Sequence, residues 1–314
     1  MDRRSVLKQV VYTASAVGLV VRRSDAALAN DKTAHGFRGK DSLPPSIVTK
    51  DGVGLFYRDW GTGAPIVFLA PWGLHSDCWE YQMAYLAGQG FRCIAYDRRG
   101  HGRSPEPASG YEFDTLADDL NALIEQLDLQ GATLIGQSLG CGEIVRYFSR
   151  YGRRRVARVV LVAPITPFLL KTADNPDGIE GAYLEKVREI LSTDRAHAIA
   201  AAAPAYFGTN NQVTPEMMDW FVKMLMQCSL RVLLDLHRMF TRTDFRRELP
   251  GISLPTLIIQ GDNDNSCPID LTGRRTAGLI RGSQLKVYEG AAHALALTHM
   301  RRLNQNLVEF IKGA

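Results

Sequence analysis

Ser138 stands in Gly136-Gln137-Ser138-Leu139-Gly140, directly after the apolar run 132–135 and at the head of a helix-compatible stretch that extends through Tyr151. Glycines flanking a serine at a strand-to-helix junction let the backbone turn sharply without a Cβ clash, and the hydroxyl is left exposed above a helix N-terminus. That end of a helix favours negative charge. Such a serine can attack a carbonyl, provided that a base takes its proton and a third group orients the base. The string alone fits a plain glycine turn equally well, so the partners decide between the two.

Both partners lie in the C-terminal third, in the order serine, acid, histidine. Residues 255–260 read as a buried strand that runs into the polar loop Gly261-Asp262-Asn263-Asp264-Asn265-Ser266-Cys267-Pro268. Residues 284–288 read as another strand, followed by Glu289-Gly290-Ala291-Ala292-His293. Carboxylate and imidazole thus fall just past the C-terminal ends of strands, the edge at which open α/β sheets gather their chemistry. Asp262 and Asp264 compete for the acid role, and only one of them is expected to face His293. Asp264 is the stronger candidate, since an Asp directly after Gly261 can hydrogen-bond the backbone of its own turn. The alternative for His293 is a satisfied loop histidine.

The elements that must position these residues follow from periodicity. Residues 47–60 predict a hairpin turning at Asp51-Gly52. Strands are expected at 66–70, 91–96 and 158–162, with a helix at 79–87 presenting Trp79, Met83 and Leu86 on one face. Leu116, Leu120, Leu123 and Leu127 mark another helix by their spacing. This alternation argues for an α/β fold, a mostly parallel central sheet with helices on both faces. Between about 164 and 250 the alternation stops and the segment turns helical, richer in Ala, Met and aromatics. It is expected to form a cap whose apolar side chains roof the site; Leu170, Phe207 and Trp220, together with Trp72, are the candidate pocket residues, and Tyr206, Phe221, Met224 and Met226 are also prominent. His197 and His237 have no partner motif there and read as surface or core histidines. The last helix is expected to pack through Leu303, Leu307 and Phe310, with His299 unconnected with chemistry.

These motifs resemble those of the cofactor-free α/β-hydrolases grouped as aryl esterases and non-haem haloperoxidases or perhydrolases. The likeness covers the chain from about Ile47 onward and is carried by Trp79-Glu80-Tyr81-Gln82-Met83, Asp97-Arg98-Arg99-Gly100-His101-Gly102-Arg103-Ser104, the Gly136 to Gly140 string, Gly261-Asp262-Asn263-Asp264 with Pro268, and Leu285-Lys286-Val287-Tyr288 leading to His293. The resemblance implies Ser138 as nucleophile, His293 as base and Asp264 as its orienter, with backbone N–H groups of Leu139 and Trp72 forming an oxyanion hole. It implies hydrolysis of small carboxylic esters, with peracid formation from hydrogen peroxide as the alternative, and lactone, amide or carbon–carbon bond hydrolysis as further ones. A non-catalytic binding protein of the same fold would usually have lost a triad member. No metal, haem or nucleotide cofactor is implied; the partner is a small-molecule ester, and a homo-oligomer is compatible with the chain.

Three places depart from the family pattern or tempt another reading. Where the family usually has His-Gly before the oxyanion-loop aromatic, this chain has Ala70-Pro71-Trp72-Gly73; Pro71 has no N–H to give, but Trp72 does. Members noted for peracid formation tend to have Pro directly after the aromatic, so Gly73 favours the esterase, and Gly73→Pro is expected to raise the peracid ratio if the backbone there tolerates proline. Cys141 replaces a common glycine and reads as a small buried filler, not a second nucleophile. The arginines and histidine of 97–104 look like an anion site, but in the family this stretch is chiefly a structural turn.

The chain has 314 residues, 46% hydrophobic and 22% charged, which is enough for a large core in one domain at 46–314. Residues 1–29 match a twin-arginine export signal: Arg3-Arg4-Ser5-Val6-Leu7-Lys8, an apolar run at 10–21 too short to span a membrane comfortably, and the small-x-small site Ala27-Leu28-Ala29. A polar leader follows at 30–45, and the mature protein is expected in the periplasm or secreted. Five of the 37 basic but only two of the 33 acidic side chains fall within 1–29, so the remainder is close to neutral and gives no support for nucleic acid or anionic membrane as a partner. The five cysteines have no paired spacing, form neither a disulfide framework nor a zinc pattern, and read as mostly buried thiols.

Overall fold

The computed structural model describes residues 45–208 and 213–313. The export segment 1–29 and residues 30–44 of the leader lie outside the described residues. An eight-stranded sheet forms the centre, in the order β1-β2-β4-β3-β5-β6-β7-β8. Strands β1 (Ser46–Val48) and β2 (Gly54–Trp60) make the antiparallel hairpin expected at Asp51-Gly52, where Gly52 turns at φ +85°. From β4 (Phe91–Tyr96) through β3 (Ala64–Leu69), β5 (Ala132–Gln137), β6 (Val156–Val162), β7 (Thr256–Gly261) and β8 (Gln284–Tyr288), neighbouring strands are parallel. Every residue of β5 and β7 is buried. This is why they read as continuous apolar runs: strands covered by helices on both faces have no water-facing side to keep polar.

The crossovers explain the placement of the helices. Helix α1 (Glu80–Gly88) links β3 to β4 in one direction along the sheet, whereas α2 (Phe113–Gln126) and α3 (Leu139–Tyr151) link strands progressing in the other. Right-handed crossovers therefore put α1 on one face and α2 with α3 on the opposite one. Helices α2 and α3 pack on each other, and α1 packs with the C-terminal helix. Trp79 is fully buried at the end of a 3-10 turn (Ser76–Trp79) that precedes α1, so the predicted helix begins one residue later.

Between β6 and its neighbour β7 the chain builds α4 (Gly181–Phe207), α5 (Pro215–Gln227) and α6 (Leu230–Arg242). Thr214 and Ser229 start the latter two by accepting the Met217 and Val232 N–H groups at 3.2 and 3.3 Å, with Pro215 at the first helical position where no N–H is needed. Helix α4 is two helices joined at Asp194, whose φ of −149° and ψ of 83° break the spiral. After α7 (Gly273–Leu279), β8 and the short α8 (Leu295–Thr298), helix α9 (Met300–Lys312) closes the domain. It buries Leu303, Leu307 and Ile311 and leaves Phe310 only partly buried, because the stripe runs at four-residue spacing.

Candidate active site

The strand order reverses at β3, which lies between β4 and β5. A crevice opens at the carboxyl ends of β3 and β5 at such a switch point. Trp72 follows β3 and Ser138 follows β5, so topology brings two distant stretches to one place.

Ser138 has φ 54° and ψ −114°, a conformation that costs a non-glycine residue on the order of 1–3 kcal/mol. The turn needs its glycines: a Cβ on Gly136 would meet the Gly140 carbonyl at 2.6 Å, and one on Gly140 would meet the Leu69 carbonyl oxygen at 2.6 Å. The Ser138 N–H donates to the Val162 carbonyl at 2.9 Å, and Ser138 is 7% exposed. The Leu139 and Trp72 N–H groups, by contrast, donate to no protein backbone carbonyl among the described residues.

His293 and Asp264 are both buried, and His293 Nδ1 lies 2.7 Å from Asp264 Oδ2. The other carboxylate oxygen of Asp264 accepts the Ser266 N–H at 3.0 Å and the Cys267 N–H at 2.9 Å. Asp262 is exposed and its Oδ1 accepts the Gly290 N–H at 2.6 Å. It therefore ties the β7 loop to the β8 loop and does not cap its own turn, as the sequence suggested. The choice between the two acids is a matter of facing direction: Asp264 points inward to the imidazole and Asp262 outward.

Two polar side chains that the sequence did not flag hold this arrangement. Gln137 donates through Nε2 to the His293 carbonyl at 3.0 Å, linking the residue before Ser138 to the histidine loop. Gln260 donates to the Cys267 carbonyl at 2.5 Å and to Thr272 Oγ1 at 2.9 Å, bracing the acid loop. Arg188 and His237 form a buried pair, Nη1 to Nδ1 at 2.9 Å, with the His237 ring 6.0 Å from Trp72. Burial, and then the Arg188 charge, push the His237 pKa down to about 4, so it is a neutral core histidine. Only the apolar and aromatic setting of 164–250 hinted at these cap contacts; glutamines at strand ends have no signature of their own.

The candidate pocket residues are dispersed. Trp72 is partly exposed, donates its indole N–H to the Leu233 carbonyl at 2.9 Å and meets Phe240 edge-on. Phe207 is buried against Tyr206 and Phe221. Trp220 lies edge-on to Tyr81 of α1 at 6.2 Å. Leu170 borders a cap cavity of about 400 Å³ with Leu184 and Arg188, and neither Ser138, Asp264 nor His293 borders it. The cap aromatic that touches the imidazole is Tyr206, with ring centroids 5.1 Å apart.

Gly73 has φ +71°, and a Cβ there would meet Leu225 Cδ1 at 2.1 Å and Leu233 Cδ2 at 2.7 Å. Proline requires φ near −65°, so the loop does not tolerate the Gly73→Pro change considered from the sequence. The basic stretch 97–104 is a structural turn. Arg98 pairs with Glu143 and donates to the Ala70 carbonyl at 2.8 Å, Arg99 pairs with Asp119 and Asp51, and Arg103 pairs with Asp97 and Asp77. All five cysteines are free and buried, and burial raises the Cys141 thiol far from the range of a nucleophile.

Comparison with known proteins agrees with this fold. The alpha/beta hydrolase fold family matches residues 64–300. The chain is 39% identical to the non-heme chloroperoxidase CPO-A1 of Kitasatospora aureofaciens, over 85% of this chain and 99% of that protein. It is 35% identical to the bifunctional esterase/perhydrolase DCH of Acinetobacter calcoaceticus, over 85% and 99% respectively. An esterase from Exiguobacterium antarcticum superposes with a TM-score of 0.82 at 28% identity, covering 86% of this chain and all of that one. With sheet order, the strand-to-helix turn at Ser138 and sequence likeness in agreement, the chain belongs to the alpha/beta hydrolase fold family.

Proposed function

We propose that this chain is a serine hydrolase that cleaves small carboxylic esters, aryl esters among them, through an acyl-enzyme. The observation that carries the reading is the buried His293–Asp264 pair at 2.7 Å, tied through Gln137 to a strand end whose next residue, Ser138, is held at positive φ. His293 Nε2 takes the proton of the Ser138 hydroxyl as Oγ attacks the ester carbonyl, Asp264 stabilises the imidazolium, and the Trp72 and Leu139 N–H groups receive the oxyanion. The imidazolium returns its proton to the leaving alcohol. Water, deprotonated by the same imidazole, then attacks the acyl carbonyl, releasing the acid and restoring Ser138.

Peracid formation is a second reading, favoured by the chloroperoxidase and perhydrolase names of the relatives. Hydrogen peroxide would replace water in the second step, giving peracid and free Ser138. Residues 1–29 support export by the twin-arginine route. Ser138→Ala, assayed on aryl acetates with and without peroxide, tests the common intermediate: both activities should fall on the order of a millionfold, the typical loss for a triad nucleophile. Retention of more than about a tenth of either would exclude the acyl-enzyme for that reaction.

A further inference from the structure

The cap touches His293 through Tyr206. Tyr206 lies in the last turn of α4, where backbone carbonyls have no intrahelical partner. Its carbonyl accepts the Ala294 N–H at 3.0 Å, from the residue directly after His293. Its ring stands 5.1 Å from the imidazole centroid at an interplanar angle of 71°, an edge-to-face contact. The same ring lies 4.6 Å from Phe221 of α5, and Phe207 closes the cluster at 5.8 Å from Tyr206 and 5.2 Å from Phe221. His293 is therefore held by Asp264 at Nδ1, by Gln137 at its carbonyl and by a cap aromatic against its ring.

The first two contacts leave a freedom that the third removes. A single hydrogen bond at Nδ1 lets the imidazole rock about the Nδ1–Oδ2 line, and that motion changes where Nε2 points. An aromatic ring set edge-to-face against the imidazole and backed by two phenylalanines blocks it. The Tyr206 hydroxyl makes no hydrogen bond to a protein group among the described residues, so the ring and the backbone carbonyl are what hold the histidine.

Building on the hydrolase reading, we propose that Tyr206 is a positioning residue: through its ring and carbonyl, helix α4 of the cap fixes the orientation of His293. The cap is then part of the proton-transfer apparatus as well as a wall of the substrate site. Loss of the ring lowers turnover with little change in substrate affinity, because the contact acts on the base and not on the bound ester.

Tyr206→Leu keeps bulk but removes the aromatic ring, and Tyr206→Met serves if the leucine variant does not fold. Turnover on an aryl acetate should fall about tenfold or more, the scale expected for loss of near-attack geometry, with KM within about twofold. Tyr206→Phe should recover most of the lost turnover, since it keeps the ring. A second readout is independent of activity: the downfield NMR signal of the His293 Nδ1 proton, recorded in Ser138→Ala. That signal should be sharp with Tyr206 or Phe and broadened by exchange with leucine or methionine. The proposal is overturned if the signal is unchanged without the ring, or if Tyr206→Phe is as impaired as Tyr206→Leu, which would assign the effect to the hydroxyl. A hydrolase reading that failed in the Ser138→Ala assay would leave the NMR comparison intact, so the two failures are distinguishable.

Discussion

Replacing Asp264 by Asn tests the site most sharply, because the structure dictates how the amide must sit. Asp264 Oδ1 accepts two backbone N–H groups, at 3.0 and 2.9 Å, while Oδ2 faces His293 Nδ1 at 2.7 Å. In Asp264→Asn the amide oxygen must take the position facing the two N–H donors, since the alternative sets an NH₂ group against them and leaves buried donors unsatisfied, at a cost of about 1–3 kcal/mol each. The NH₂ group is thereby turned toward Nδ1. It can donate only to a bare Nδ1, so the imidazole proton moves to Nε2, the atom that must accept the serine proton. The wrong tautomer costs roughly ten-thousandfold in turnover in a comparable triad, about 5.5 kcal/mol of activation free energy. Asp262→Asn keeps an acceptor for the Gly290 N–H on an exposed side chain, so its effect should be at most the worth of one hydrogen bond, about 0.5–1.5 kcal/mol of stability, with turnover little changed. The assay is kcat on an aryl acetate for both variants, with thermal unfolding alongside. If Asp264→Asn retained more than about a tenth of wild-type turnover, or Asp262→Asn were the more damaging to turnover, the account of the acid loop would be wrong.

The structure and sequence yield three more expectations. Gly73→Pro should destabilise the protein and not redirect its chemistry, because φ +71° and the leucines at 2.1 and 2.7 Å exclude proline; a variant with wild-type Tm would show that the loop has another conformation. Burial holds the pKa of His237 down to about 4 and that of His101 to about 3, from 6.5. Between pH 6.5 and 4 the unfolded chain gains protons there that the folded chain refuses, so stability falls with pH by ~1.4 kcal/mol per unit for each histidine, roughly 5 kcal/mol for the pair at pH 4.5. Urea unfolding at pH 6.5 and 4.5 should show a smaller loss in His237→Gln than in wild type, and an equal loss would contradict the linkage. Replacing Arg3 and Arg4 with lysine should leave active enzyme trapped in the cytoplasm of a host with the twin-arginine system; cell fractionation decides, and normal export of that variant would count against the signal.

Much of this fold was legible from local pattern. The strands β3, β5 and β7 are apolar runs because both of their faces are covered, and a run of that kind survives any reading frame of burial. The tight turn at Ser138 was legible because its backbone geometry demands glycine at 136 and 140, a constraint written in residue type. The inward choice of Asp264 over Asp262 was not readable from alternation, which sets residues two apart on the same side; the turn at Asp262 and Asn263 separates their directions, leaving Asp262 exposed and Asp264 buried. Nor was the partner of Asp262 readable, because Gly290 is 28 residues away and has no side chain to signal the contact.

What only the tertiary structure decided is the cap and its grip on the site. Leu170, Phe207 and Trp220 had the apolar character of pocket residues, yet hydrophobicity specifies burial and not against what. The structure sets Leu170 on a separate cavity, Trp220 against Tyr81 and Phe207 behind Tyr206. Helix α4 breaks at Asp194 without proline or glycine at that point, so no residue type announced where its second half would aim. Gly73 was legible as a small residue but not as one at positive φ packed beneath Leu225 and Leu233, which arrive from 150 residues or more along the chain. Residue type and spacing determine chemistry that is local to a turn or a strand end. The company that an apolar side chain keeps is set by how helices pack across the whole domain, and packing is non-directional until the elements are in place.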